Sequence, residues 1–71
     1  MTNFQKKIIG AIFYKRPAKR GNLLASYMAE HEKHYECLYV TGATYLIEKD
    51  DVIWVGESEE QFKDEHPEYF V

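Results

Sequence analysis

The sequence predicts a small two-layer α+β domain, with elements in the order β-α-β-β-β-α and a mainly antiparallel sheet. Three observations lead there. Residues 7–14 are a run of β-branched and aromatic side chains, residues 35–56 hold three extended stretches parted by turn formers, and Asn22 and Ser58 each stand where a helix N-cap belongs. A chain of 71 residues makes one domain, and at that size folding buries only about 60% of the surface the unfolded chain exposes. Large side chains compensate, since 15% of the residues are aromatic and each such ring can bury roughly 150–250 Å².

The first element is a strand over residues 7–14, apolar enough to be covered on both faces. A helix is the alternative: Phe4, Ile8 and Ile12 also fit a helical stripe, and Thr2 with Gln5 can form a capping box before it. Pro17 and Gly21 bracket a loop. From Asn22 a helix is expected to run to His34, because Leu23, Leu24, Tyr27, Met28 and His31 recur at three- and four-residue spacing. Residues 35–41, 44–49 and 52–56 follow as a meander broken at Gly42-Ala43 and Asp50-Asp51. Ser58 then opens a short helix with Gln61 reaching back, Glu59 and Glu60 suiting the positive end of its dipole. His66-Pro67 stops it, and Tyr69, Phe70 and Val71 dock as a tail.

Charge is sorted along the chain. Residues 1–21 carry six basic side chains and no acid, whereas residues 22–71 carry three lysines against all twelve acids, a net of −9. Such polarity suits a polyanion at one end and a basic surface at the other, or internal pairing of the two. The basic residues Lys15, Arg16, Lys19 and Arg20, extended by Lys6 and Lys7, and the acidic residues Glu59, Glu60, Asp64 and Glu65 are therefore the candidate partner-binding groups.

Catalytic patterns are missing from the sequence. It has no Gly-rich phosphate loop, nucleophile elbow, Cys pair or His-Glu-x-x-His, and neither an enzyme nor a cofactor is expected. His31-x-x-His34-x-x-Cys37 offers ligand types that zinc accepts. Without a fourth ligand or paired knuckle spacing, it reads instead as two surface histidines and a buried thiol, and no metal is expected. His66 reads as a capping or surface residue. A single cysteine excludes a disulfide framework and fits a reducing compartment, the cytoplasm. The longest apolar run, residues 8–14, is far below the ~20 residues that span a bilayer, so no membrane association is expected.

Two functions follow from these residues. The first is a non-enzymatic protein-binding module, in the form of a small inhibitor or modulator of a larger enzyme. In size, aromatic content and lack of a catalytic set, the chain is similar to small accessory proteins of phages and other mobile elements that bind and redirect a host protein. The second is a nucleic-acid-binding protein that uses the basic segment 6–20, with Tyr35, Tyr39, Tyr45 and Trp54 as stacking surfaces. A sequence pI of about 5.5 weighs against the second.

Overall fold

A computed structural model describes residues 7–16 and 18–70. Thr2, Phe4, Gln5, Lys6, Pro17 and Val71, each used above, lie outside the described residues. Five strands, β1 (Gly10–Lys15), β2 (Asn22–Glu30), β3 (His34–Leu38), β4 (Thr44–Glu48) and β5 (Val52–Gly56), precede one helix, α1 (Glu59–Glu65). Single 3-10 turns occupy Lys49–Asp51 and Pro67–Phe70. The strands form one sheet in the order β4-β3-β2-β1-β5, every pairing antiparallel. The α+β class and the antiparallel sheet are as expected.

Two elements differ from expectation. Residues 22–30 form strand β2 in place of the predicted helix, and the order is β-β-β-β-β-α. The reason is tertiary. β1 is buried at every position from Gly10 to Tyr14 and needs backbone partners on both edges; β2 supplies one of them, with Ile12 opposite Ala25 and Phe13 opposite Leu24. β2 is itself covered on both faces. Ala25 and Tyr27 enter the interior, while Leu24 on the other face approaches Tyr69 and Phe70. Apolar residues on both faces remove the two-residue alternation and imitate a helical stripe.

The second difference is the meander. β3 and β4 pair in succession as expected, but β5 leaves β4 and joins the far edge beside β1. Four strand spacings of ~4.8 Å would part the edges of a flat sheet by about 19 Å. The connection from Glu48 to Val52 is one turn of 3-10 helix, which rises only ~2 Å per residue. The sheet must coil back on itself, and it does so at β2, whose first half pairs with β1 and whose second half pairs with β3. Between Tyr27 and Ala29, β2 advances two residues while β3 advances one, so Met28 is the extra residue of a bulge, a feature that bends a strand and tightens its twist.

The coiled sheet encloses Ile12, Tyr14, Ala25, Tyr27, Tyr35, Cys37 and Ile47, with Tyr45 and Val52 packed against them. Gly10 is required here, because a Cβ would stand 2.6 Å from the Tyr27 ring and 2.7 Å from the Gly56 carbonyl oxygen. A second, smaller core lies on the outer face. Phe62 of α1 stacks on Phe13 at 4.4 Å, meets the edge of Trp54 at 4.9 Å and faces Tyr69 at 5.6 Å. As expected, the Ser58 hydroxyl accepts from the Gln61 N–H at 3.0 Å. The return bond is displaced by one residue, Gln61 Oε1 accepting from the Glu57 N–H at 2.6 Å. The tail docks through Tyr69, whose ring lies 4.9 Å from Phe13.

Candidate functional site

The loop between β1 and β2 holds the basic residues and is drawn in by its own backbone. The Arg16 N–H donates to the Gly21 carbonyl at 3.3 Å, and Gly21 takes the left-handed conformation (φ 88°) that glycine reaches without penalty. The Arg16 guanidinium donates through Nη2 to the Arg20 carbonyl, while its Nε–H is shielded from water and has no partner. Coiling of the sheet brings this loop against the ends of β3 and β4. Between them lies a groove of about 280 Å³ lined by Tyr14, Arg16, Ala18, Lys19, Leu23, Tyr39, Tyr45 and Ile47.

Three tyrosines give the groove its character. Tyr39 and Tyr45 pack with ring centres 4.2 Å apart and planes inclined by 31°. Tyr39 is fixed by a turn in which its N–H donates to the Ala43 carbonyl at 2.8 Å and its carbonyl accepts from the Gly42 N–H at 2.9 Å. Its ring is nonetheless half exposed, and Leu23 and Val40 beside these strands are also open to solvent. Burial, helped by a hydrogen bond with Tyr14, pushes the Tyr45 hydroxyl well above its usual pKa. The phenol therefore stays neutral, and the charge of the lining comes from Arg16 and Lys19 alone, since no acid contributes to it.

The eight candidate residues divide sharply. Arg16 and Lys19 line the groove, and Lys15 and Arg20 stand exposed beside it. Among the described residues no ion pair joins any of the four to an acid. On the acidic side, Glu59 accepts from the Ser26 hydroxyl at 2.8 Å, and Glu65 accepts from the Trp54 indole at 3.3 Å and from the Gln61 amide at 2.8 Å. These two carboxylates tie α1 to the sheet. Glu60 and Asp64 face solvent.

Of the proposed stacking residues, only Tyr39 and Tyr45 reach the groove. Tyr35 is buried inside the sheet, edge-on to Tyr27 at 4.8 Å, and Trp54 serves the outer core. Tyr14, Leu23 and Ile47 were not among the sequence candidates. Each is apolar or half-apolar within a strand, and only the closure of the sheet distinguishes it from ordinary core.

His31, His34 and Cys37 do not converge. His31 is exposed at the turn between β2 and β3, with Nε2 3.1 Å from Glu36 Oε1, whereas Cys37 is fully buried. Burial raises its thiol pKa to about 11. Among the described residues no group of three or more His, Cys, Asp or Glu side chains is placed to hold a metal ion. No helix of the described residues is long and apolar enough to cross a membrane. Compared with known protein families, curated proteins and solved structures, the chain matches none.

Proposed function

We propose that this chain is a non-enzymatic protein-binding module, and that its groove receives an apolar anchor from an acidic, extended segment of a partner protein. One observation carries this reading: Tyr14, Leu23, Tyr39, Tyr45 and Ile47 form a concave apolar floor with Arg16 and Lys19 at its lip and no acid in the lining. Anchors seated in such hollows supply most of the energy of an interface, while rim charges steer the encounter. The net charge of −3 would slow association with most nucleic acids but not with a locally acidic peptide that meets the basic end first. A small inhibitor or modulator of a larger enzyme, working in the reducing cytoplasm where Cys37 stays a thiol, fits this role.

The Tyr39–Tyr45 pair beside Arg16 and Lys19 favours a second reading, single-stranded nucleic acid laid on the rings with its phosphates on the cations. Capture of the tagged protein with its partners from its native cell, with and without nuclease, separates the two. A nuclease-resistant protein partner, lost in Tyr39→Ala, is the expected result. Binding of the purified protein to random-sequence single-stranded RNA or DNA at physiological ionic strength, with log K falling against log salt at a slope of about −2.8 for four phosphate contacts, would replace it with the second reading.

A further inference from the structure

β5 stands at one edge of the sheet, away from the groove. Among the described residues β5 pairs with β1 alone, and no described strand lies on the other side of its backbone. Natural edges are usually blunted by charge, proline or a bulge. β5 reads Val-Ile-Trp-Val-Gly with neither charge nor proline. Its bulge falls at Ile53, where β5 advances from Val52 to Trp54 while β1 advances one residue, and Trp54 to Gly56 keep regular register. Ile53 and Val55 are 58% and 43% exposed. α1 packs on the face of the sheet through Phe62, on Phe13 and Trp54, and not as a strand beside β5.

Acids stand at both ends of the strand. Asp50 and Asp51 precede it, and Glu57, Glu59 and Glu60 follow it. Of these, Glu59 is engaged with Ser26. An uncharged strand between two acidic ends is complementary to an uncharged extended segment between two basic ends. A second copy of β5 would instead set the acidic ends against each other, since antiparallel pairing brings the start of one strand beside the end of the other. We infer that β5 accepts, by strand addition, an extended partner segment whose apolar centre is flanked by lysine or arginine. Backbone hydrogen bonds would supply affinity, Ile53 and Val55 the side-chain contacts, and the flanking charges the register.

Titration of the isotopically labelled full chain with the synthetic peptide KKVTVTVKK, followed by amide chemical shifts and hydrogen exchange, tests this. The expected result is saturable change confined to β5 and its flanks, with slowed exchange of β5 amides. A glutamate-flanked peptide, EEVTVTVEE, and a backbone N-methylated form of the lysine peptide should each bind at least about tenfold more weakly. Equal binding of the N-methylated form would exclude strand addition, and equal binding of the glutamate form would exclude the charge argument. Shifts that depend on protein concentration without peptide would assign the edge to a second copy and overturn the inference. Shifts restricted to Tyr39, Tyr45 and the loop of residues 16–21 would place the peptide in the groove and overturn the inference too, and would count separately against the acidic partner proposed for that groove. No saturable shift in β5 at millimolar peptide would also end it.

Discussion

Phe62→Ala should be the most damaging single truncation on the outer face. Phe62 is 1% exposed and meets five other rings, Phe13, Trp54, His66 and Tyr69 with centres 4.4–5.6 Å away and Phe70 at 6.0 Å. An aromatic side chain buries roughly 150–250 Å², worth about 4–6 kcal/mol at ~25 cal/mol per Å². Part of that is kept by the alanine methyl group, and measured Phe-to-Ala losses in cores run about 3–5 kcal/mol. A chain of 71 residues has about 4–11 kcal/mol in total at ~0.05–0.15 kcal/mol per residue. One truncation thus removes a large fraction of the stability. Urea unfolding followed by Trp54 fluorescence and by far-ultraviolet circular dichroism is the assay, with Phe70→Ala as control because Phe70 is half exposed. The expected result is a loss of about 3–5 kcal/mol for Phe62→Ala and under about 1 kcal/mol for the control. At ~4–8 °C per kcal/mol, the former lowers Tm by at least about 12 °C. Equal, small losses for the two variants would refute the claim that α1 is anchored through Phe62.

Gly10→Ala should cost about 1–3 kcal/mol by overpacking, because the new Cβ meets both the Tyr27 ring and the Gly56 carbonyl; an unchanged urea midpoint would show that the ring can move aside. Cys37 should resist thiol reagents in the native state until the chain unfolds, and labelling as fast as a free thiol would contradict its burial. Since folding raises its pKa from 9.0 to about 11, the folded state holds this proton more tightly. The resulting stability is intact below pH 9 and should be lost as pH rises towards 11, by about 2–3 kcal/mol at ~1.36 kcal/mol per unit. The raised Tyr27 and Tyr45 hydroxyls act in the same direction; Cys37→Ala should shrink the alkaline loss measured by urea titration across that range. Chelation of divalent ions should leave Tm unchanged, and a fall of several degrees would restore the His31, His34 and Cys37 reading.

What the sequence made legible was local chemistry. The Ser58 cap, the Gly42 turn and the doubly buried strand around Ile12 follow from side chains acting on their near neighbours. β2 was misread as a helix because its environment, sheet edges on both sides and cover on both faces, is set by residues elsewhere in the chain. The same holds for β5, whose Trp54 and Val55 pair with Phe13 and Ile12, 41 and 43 positions away. At the groove, Arg16 and Lys19 announce themselves by charge, and Tyr39 and Tyr45 were visible as candidate stacking rings. Their placement beside Tyr14, Leu23 and Ile47 depends on closure of the sheet, which no local spacing encodes. Glu59 and Glu65 illustrate the reverse: charge alone marked them as recognition groups, and their hydrogen bonds make them fasteners of α1.

The late arrival of β5 has a consequence for synthesis. A ribosome releases Gly10–Lys15 long before Val52–Gly56, and until the latter emerges one backbone edge of the most apolar strand is unsatisfied. At ~5–20 residues per second the 36 intervening residues take about 2–7 s. During that window the nascent chain displays an open strand, uncharged from Gly10 to Tyr14, a template for mispairing with other chains. Lys15 ends this strand and Arg16, Lys19 and Arg20 follow in the loop, so their like charges repel other nascent copies while the edge waits. The same cations that later frame the groove thus act first as an electrostatic guard on the growing chain.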